Sequence, residues 1–147
     1  MSARGLFGFL IALTFTTCVA AGDEHETDRQ RLQGTWNVLA ANEEGRTLLP
    51  TRVKGAKIVV TGDTMKVFEQ NKQRHMTFTL GPTKEPRTID MIVVEGKQKD
   101  KTSQGIYALE GDMLKLCIAL PGKARPASFA PSQGSGAMLF VLKRAEP

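Results

Sequence analysis

The sequence is poor in cysteine and in aromatic residues, and each shortage excludes a class of small protein. Only two cysteines occur in 147 residues, with one tryptophan and one tyrosine. Two cysteines cannot build the dense disulfide framework of small secreted scaffolds, and they lack the close pairing of structural zinc sites. Aromatic residues make up 6% of the chain, so the basic residues lack a stacking platform for single-stranded nucleic acid. We expect no nucleic-acid partner, no metal and no other cofactor.

Long hydrophobic runs are missing too, except near the start. Arg4 precedes an apolar run over 6–15, and small residues follow over 20–22. The run is shorter than the ~20 residues that a membrane-spanning helix needs, and a polar stretch comes directly after it. This arrangement predicts a secretory signal peptide over 1–22, cleaved at the small residues, and a single domain over 23–147. The predicted localisation is extracytoplasmic, either periplasmic or secreted.

One of the two cysteines, Cys18, lies inside that signal segment. Cleavage would leave Cys117 alone, which excludes an intramolecular disulfide. In a bacterial lipoprotein, Cys18 would instead carry a lipid and anchor the chain to a membrane. Phe15, Thr16 and Thr17 fit that alternative poorly, because lipidation sites carry aliphatic and small residues there. We expect no membrane insertion unless Cys18 is lipidated, and the lipoprotein stays open as the alternative.

Charge of one sign does not dominate the chain. It carries 20 Lys and Arg against 15 Asp and Glu, a formal charge of +5, which becomes +4 when Arg4 is removed with the signal. The basic residues are scattered from Arg46 to Lys101 and beyond. A solvated surface is therefore favoured over a polyanionic partner.

The mature chain does contain a regular alternation of apolar and polar residues, interrupted by turn residues about every ten positions. Over 74–80, for example, Met76, Phe78 and Leu80 alternate with polar residues. One short helix is predicted between Glu24 and Gln33, where acidic residues come early and basic residues late, as the helix dipole prefers. The alternation predicts eight strands: Thr35–Ala41, Lys57–Thr61, Met65–Glu69, Arg74–Leu80, Thr88–Val94, Gly105–Leu109, Met113–Leu120 and Ala137–Lys143.

Eight short strands joined mainly by hairpin-length connections favour an up-and-down meander. Closing the meander into a barrel removes the two exposed edges of an open sheet. The predicted fold class is therefore all-β: an eight-stranded antiparallel up-and-down barrel with a short N-terminal helix. A β-sandwich is the alternative, although its crossovers need longer connections than most of these. Eight strands leave room either for packed side chains or for one small ligand.

Three residues carry a resemblance to a known superfamily. Gly34 and Trp36 open the first strand, as in the glycine-any-tryptophan signature of lipocalins and other calycins. Arg144 ends the last strand, where that superfamily places an arginine on the tryptophan. The resemblance implies that a cation stacked on the indole closes the barrel floor. More closely, the chain resembles a family of small exported lipocalin-like proteins of planctomycete bacteria without an assigned activity, over the stretches 32–36, 62–63, 88–90, 105–107, 111–117, 126–129 and 142–144.

A ligand inside such a barrel would be small and apolar. The long segment Pro121–Gly136 exceeds the usual hairpin loop, and its Phe129 is an apolar residue that a solvated loop does not need. We consider two placements for it: a lid over one mouth of the barrel, or an ordered surface loop docked on the core. The candidate ligand-binding residues are Met76, Phe78, Met91, Tyr107, Leu116, Phe129 and Met138.

Groups suited to catalysis are scarce. His75 stands alone on a predicted strand, and a nucleophile made from Cys117 and His75 is less favoured than a small buried thiol. We therefore expect no enzymatic activity. Two functions remain open: an exported module that binds a small hydrophobic molecule, or a structural or interaction domain whose barrel is filled by its own side chains. The sequence names no protein partner for the second.

Overall fold

The computed structural model describes residues 21–147, with side chains from Glu26 onward. Cys18 and most of the predicted signal segment lie outside the described residues. In chain order the elements are α1 Ala21–Leu32, β1 Gly34–Glu43, β2 Arg46–Thr47, α2 Pro50–Val53, β3 Lys57–Thr61, β4 Thr64–Glu69, β5 Lys72–Gly81, β6 Thr88–Val93, β7 Thr102–Glu110, β8 Met113–Ala119 and β9 Ala137–Arg144.

The strands pair antiparallel in sequence order and then close on themselves. β1 pairs with β3 along the barrel wall. The two-residue β2 pairs only with the end of β1 and is not one of the barrel strands. β1 also pairs with β9, from Trp36 opposite Arg144 to Glu43 opposite Met138, with an irregularity between Val38 and Ala40. Eight strands thus form a closed antiparallel barrel, preceded by one short helix. This confirms the predicted fold class, and the β-sandwich alternative is wrong.

Seven of the eight predicted strands match the observed ones to within two residues at either end, and β3 matches at both ends. β7 begins three residues earlier than predicted, at Thr102, because polar residues and Gly105 interrupt its alternation. A Cβ at Gly105 would lie 2.7 Å from the carbonyl oxygen of Cys117 and against the side chain of Ile118. Glycine therefore allows β7 and β8 to approach closely there. The short elements β2 and α2 were not predicted.

Alternating strand directions place every second connection at the same end of the barrel. We define the floor as 26–35, 61–64, 81–88, 110–113 and 143–147, and the mouth as 44–56, 69–74, 94–102 and 120–136. α1 belongs to the floor because it leads directly into β1.

The barrel encloses one apolar core. A smaller cluster of Ile106, Cys117 and Ala137 lies on the outer wall, because alternation along β7 and β8 turns these side chains away from the interior. The interior cluster consists of fourteen buried side chains: Leu32, Trp36, Ile58, Val60, Met65, Met76, Phe78, Leu80, Ile89, Met91, Tyr107, Leu114, Leu116 and Leu142.

Candidate functional site

The floor contains the three residues on which the superfamily resemblance rests. Trp36 is fully buried, and its Nε1 donates a hydrogen bond of 2.9 Å to the carbonyl oxygen of Leu32. The guanidinium of Arg144 lies over the indole, 4.3 Å from the ring centroid, which is a cation–π distance. Gly34 has a φ of +108°, and a Cβ there would lie 3.3 Å from Nη1 of Arg144. The structure thus brings Gly34, Trp36 and Arg144 together where the first and last strands meet.

Arg144 also joins the end of α1 to the last strand. Its Nη1 donates to the carbonyl oxygen of Gln33 at 2.7 Å, and its Nη2 donates to that of Arg31 at 2.6 Å. Such carbonyls lack partners within a helix because they lie beyond its last turn of hydrogen bonds. One side chain therefore stacks on the floor tryptophan and also caps the helix.

A buried carboxylate, which the sequence analysis missed, fastens α1 to the barrel. Asp28 is 2% exposed and accepts a 2.5 Å hydrogen bond from the hydroxyl of Tyr107. Nη1 of Arg87 donates to both carboxylate oxygens, at 2.9 and 2.8 Å, and Nη1 of Arg31 lies 3.7 Å away. Burial, followed by the hydrogen bond to Asp28, raises the pKa of Tyr107 well above its usual range. The available signal was the spacing of Asp28 and Leu32, which places them on one face of α1.

On β4, β6, β8 and β9 the inward-facing side chains become more exposed from the floor to the mouth. On β9, Leu142 is fully buried, whereas Phe140 and Met138 are half-buried. On β4, Met65 is fully buried and Val67 is half-buried. The same change occurs on β6, from Ile89 to Val93, and on β8, from Leu114 to Ile118. On β1 the exposure rises from Trp36 to Val38 and falls again at Ala41, which is 2% exposed. Part of the inner face therefore reaches solvent towards the mouth.

Five half-buried apolar side chains lie on the inner face towards the mouth, and we call this set the cup. Its members pack against the interior core, in which Met76, Phe78 and Met91 are 9%, 6% and 5% exposed. Small-molecule sites are lined mainly by apolar side chains, and the cup shares that apolar character. The cup residues are Val38, Val67, Val93, Ile118 and Phe140.

Charged side chains begin where the cup ends. Arg74 follows Met76 along the inner face of β5, and Glu69 follows Val67 along that of β4. Nη2 of Arg74 donates to Oε2 of Glu69 at 3.1 Å, and the two side chains are 60% and 35% exposed. An ion pair this exposed contributes at most about 1 kcal/mol to stability. The rim of the cup is therefore polar, and its ion pair is easily rearranged.

Most of the predicted ligand-binding residues share the barrel interior. Five of them belong to the same core cluster, namely Met76, Phe78, Met91, Tyr107 and Leu116. Tyr107 lies deepest, because its hydroxyl contacts Asp28 at the floor. Met138 pairs with Ile118 and is half-buried near the mouth. The cup residues themselves were not predicted as ligand contacts, since the sequence does not reveal at which end the barrel is open.

Phe129 is the exception, and its assignment to the ligand site needs correction. It packs on the outer wall, against the cluster of Ile106, Cys117 and Ala137. Arg125 fixes the same loop to this wall, because its Nη1 donates to the carbonyl oxygen of Gly105 at 2.8 Å. Its Nη2 also lies 2.7 Å from Oδ1 of Asp90. Apolar side chains on the outer wall need cover, and the loop supplies it. Phe129 therefore packs outside the barrel rather than over its opening, and a docked surface loop is the placement observed.

The remaining candidate groups lie apart from one another. Cys117 is fully buried on the outer wall of β8, and burial raises the pKa of its thiol. His75 lies on β5, which is separated from β8 by β6 and β7. Within residues 21–147, no three His, Cys, Asp or Glu side chains form a group that could hold a metal ion. In the same part of the chain, neither helix is long and apolar enough to cross a membrane.

Comparison with known proteins gives no relative for this chain. No protein-family model, no curated protein and no solved structure matches it. The resemblance to small exported planctomycete proteins therefore stays a prediction from the motifs, and the functional argument depends on the geometry of the barrel.

Proposed function

We propose that this protein is an exported binding module that holds a small hydrophobic molecule in the cup at the mouth of the barrel. The observation that carries the proposal is the exposure gradient along the inner face. On β4, β6, β8 and β9 the inward side chain near the floor is fully buried, and an inward apolar side chain nearer the mouth is half-buried. Covering that apolar surface with a ligand would contribute roughly 25 cal/mol of favourable binding free energy for each Å² removed from water.

The different interactions at the two ends support entry of a ligand from the mouth. Hydrogen bonds and a cation–π contact close the floor, and they involve Asp28, Arg87, Tyr107, Trp36 and Arg144. A ligand would therefore enter and leave at the mouth, where inner-face side chains are partly exposed.

The second candidate function is an interaction domain with a filled barrel. Its support is the single continuous cluster of fourteen buried side chains, which occupies the floor and the middle of the interior. In that case the barrel would act only as a scaffold, and the cup would be a shallow end of the core without an occupant.

Binding of a neutral fluorescent probe, N-phenyl-1-naphthylamine, separates the two candidates. Val93 and Ile92 are adjacent on β6 and face opposite sides of the wall, since Val93 packs on the core and Ile92 is 41% exposed. Val93→Trp fills the cup, and Ile92→Trp adds the same side chain outside. We expect the wild type and Ile92→Trp to bind the probe with affinities within about twofold, and Val93→Trp to bind it at least tenfold more weakly.

A melt followed by circular dichroism shows that each variant is folded before binding is compared. Val67→Trp blocks the cup from a neighbouring strand and serves if Val93→Trp fails to fold. No probe binding by the folded wild type, or equal binding by the cup and outer-wall variants, would favour the filled barrel.

Export is part of the proposal and rests on the signal segment over 1–22. The denatured mass of the protein isolated from its own host should correspond to a chain that begins near residue 23. A mass that retains Met1 and the apolar run would contradict export by cleavage, and a lipid-sized increment on Cys18 would instead establish the anchored form. The native mass of the same sample would show whether a discrete ligand travels with the protein and is released on unfolding.

A further inference from the structure

The positive charge of the protein is concentrated at one end of the barrel. Three of the mouth segments, 44–56, 69–74 and 94–102, contain eight Lys and Arg against four Asp and Glu. The described floor segments contain six against seven. Along the sequence the basic residues look scattered, because these three segments are separate connections between strands. The fold collects them at the mouth.

Most of these basic side chains have no acidic partner. The mouth segments contribute two ion pairs, in which Arg46 lies 4.0 Å from Glu43 and Arg74 lies 3.1 Å from Glu69. The two arginines are 81% and 60% exposed, so both pairs are weak. A positive field therefore extends from the mouth into solvent. Six further basic side chains of these segments are exposed and form no ion pair within residues 26–147: Arg52, Lys54, Lys72, Lys97, Lys99 and Lys101.

Large apolar side chains project from the same end. Among residues 26–147, the two most exposed are Leu49, at 69%, and Leu120, at 62%. Leu49 directly precedes α2, and Leu120 directly follows β8. Single exposed apolar side chains are ordinary on a protein surface. These two share one end with the unpaired basic residues, and that combination suits a partner that is both apolar and anionic.

The backbone holds both leucines in place. The N–H of Leu120 donates to the carbonyl oxygen of Gly136 at 2.8 Å, and the carbonyl oxygen of Leu49 accepts from the N–H of Arg52 at 2.9 Å. Val53 is 8% exposed, so α2 is docked on the barrel while Leu49 remains in solvent. A side chain on ordered backbone loses less freedom when a second surface covers it. The two leucines are therefore prepared for insertion.

We propose that the mouth docks this protein on the surface of an anionic lipid membrane, with Leu49 and Leu120 inserted among the head groups and the basic side chains against the lipid phosphates. Charge complementarity selects this partner, because each Lys or Arg close to an anionic bilayer strengthens attachment. Exposed apolar side chains enter the boundary between head groups and acyl chains, which a purely polar polyanion does not offer. This inference goes beyond the proposed function and applies equally to a filled barrel.

Sedimentation with lipid vesicles tests the two leucines against matched positions on the wall. The vesicles contain phosphatidylcholine alone, or phosphatidylcholine and phosphatidylglycerol in equal amounts. The mouth variant carries Leu49→Ser and Leu120→Ser. The wall variant carries Leu39→Ser on β1 and Ile92→Ser on β6, where the side chains are 52% and 41% exposed. We expect the wild type and the wall variant to bind the anionic vesicles within about twofold of each other, and the mouth variant to bind them at least fivefold more weakly.

A second pair of variants tests the charge. Arg52→Gln with Lys54→Gln removes two charges at the mouth, and Lys84→Gln with Lys143→Gln removes two exposed charges at the floor. We expect at least fivefold weaker binding to the anionic vesicles from the mouth pair, and a change within about twofold from the floor pair. The wild type should bind vesicles of phosphatidylcholine alone at least tenfold more weakly than the anionic ones. A melt followed by circular dichroism shows that each variant is folded.

Tryptophan emission serves if the mouth variant fails to fold. Trp36 is fully buried, so a second tryptophan in solvent gives a separate signal. The emission of Leu49→Trp should shift to shorter wavelengths when anionic vesicles are added, and that of Leu39→Trp should not.

Three results would overturn the inference. The first is a folded wild type that does not bind the anionic vesicles. The second is equal weakening by the mouth and floor charge pairs, or by the mouth and wall leucine variants, since attraction would then lack a docking face. The third is a dimer in sedimentation velocity that Leu49→Ser and Leu120→Ser convert to a monomer, which would assign the leucines to a second copy of the chain. Failure of the neutral probe to bind would count against the proposed function alone.

Discussion

The floor and the mouth of the barrel are built from the same strands but are held by different interactions. At the floor, a helix, a stacked arginine and a buried carboxylate with its donors close the interior, and Trp36 and Leu142 have no exposed surface. At the mouth, half-buried apolar side chains lie beside an exposed ion pair between Arg74 and Glu69. Under the proposed function, stability and binding would belong to opposite ends of one small domain, so a change at one end should leave the other largely intact.

Truncating an aromatic side chain at each end should give the largest difference in lost stability between the floor and the mouth. Trp36→Ala should lower the free energy of unfolding by about 3–5 kcal/mol, because it leaves a cavity and removes the stack with Arg144. Phe140→Ala should cost about 1–2 kcal/mol, since this side chain is only half-buried. Urea unfolding followed by circular dichroism gives both values. Equal losses would mean that the floor is not the more tightly packed end.

The ionisation of Tyr107 offers a second test of the floor. Its pKa is raised, so its contribution to stability is present below about pH 10, the ordinary tyrosine value, and decreases as the pH rises above that. Tyr107 is the only tyrosine, so tyrosinate absorbance reports it alone. The absorbance should appear only as the protein unfolds in alkali, and Tyr107→Phe should be less sensitive to pH in that range. A smooth titration near pH 10 in the folded state would place this hydroxyl in solvent.

Carboxylates at the two ends should respond differently to the same chemical change. Asp28→Asn should lower the free energy of unfolding by about 1–3 kcal/mol, because a neutral amide does not satisfy Arg87 and Tyr107 together. Glu69→Gln should change it by less than about 1 kcal/mol, as expected of an exposed ion pair. Thermal and urea unfolding measure both effects. A costly Glu69→Gln would show that the rim pair contributes to the fold.

Replacing a valine with threonine at each end should give the smallest difference in lost stability between the floor and the mouth. Val60→Thr should cost about 1–2 kcal/mol, since Val60 is 2% exposed and a buried hydroxyl there lacks solvent. Val93→Thr should cost about 0.5 kcal/mol or less, because solvent reaches this half-buried position. The two variants are compared by their urea midpoints. A reversed order would mean that the mouth, not the floor, is sealed.

The sequence predicted the fold well because a strand pattern is a local property. Alternation at Met76, Phe78 and Leu80 identifies β5 without knowledge of its neighbours, and the predicted β3 has the observed bounds. The start of β7 was harder to predict, since Gly105 is needed for close approach to β8 and this approach is visible only in the folded sheet.

The site was less predictable because its features depend on which end of the barrel is closed. In the sequence, Asp28 resembles an ordinary surface acid. Only the fold brings Arg87 and Tyr107, which are distant in the chain, into contact with its carboxylate. Phe129 was considered for a lid over the ligand site because it is apolar, and an apolar patch on the outer wall is hard to recognise from alternation alone. Arg74 shares the face of Met76 by alternation alone, but the sequence does not show that this end of β5 lies at the mouth or that Glu69 is its partner.

The pairing of β1 with β9 also has a consequence for the order in which the chain acquires structure. The floor needs Trp36 from the first strand and Arg144 from the last, so the ribosome must release nearly the whole domain before the barrel can close. Contacts between such distant parts of a chain form slowly, because the intervening segment must first be brought into a loop. Until then β1 and β8 are unpaired edges, and the nascent chain would depend on rapid completion or on a chaperone to avoid pairing with other molecules.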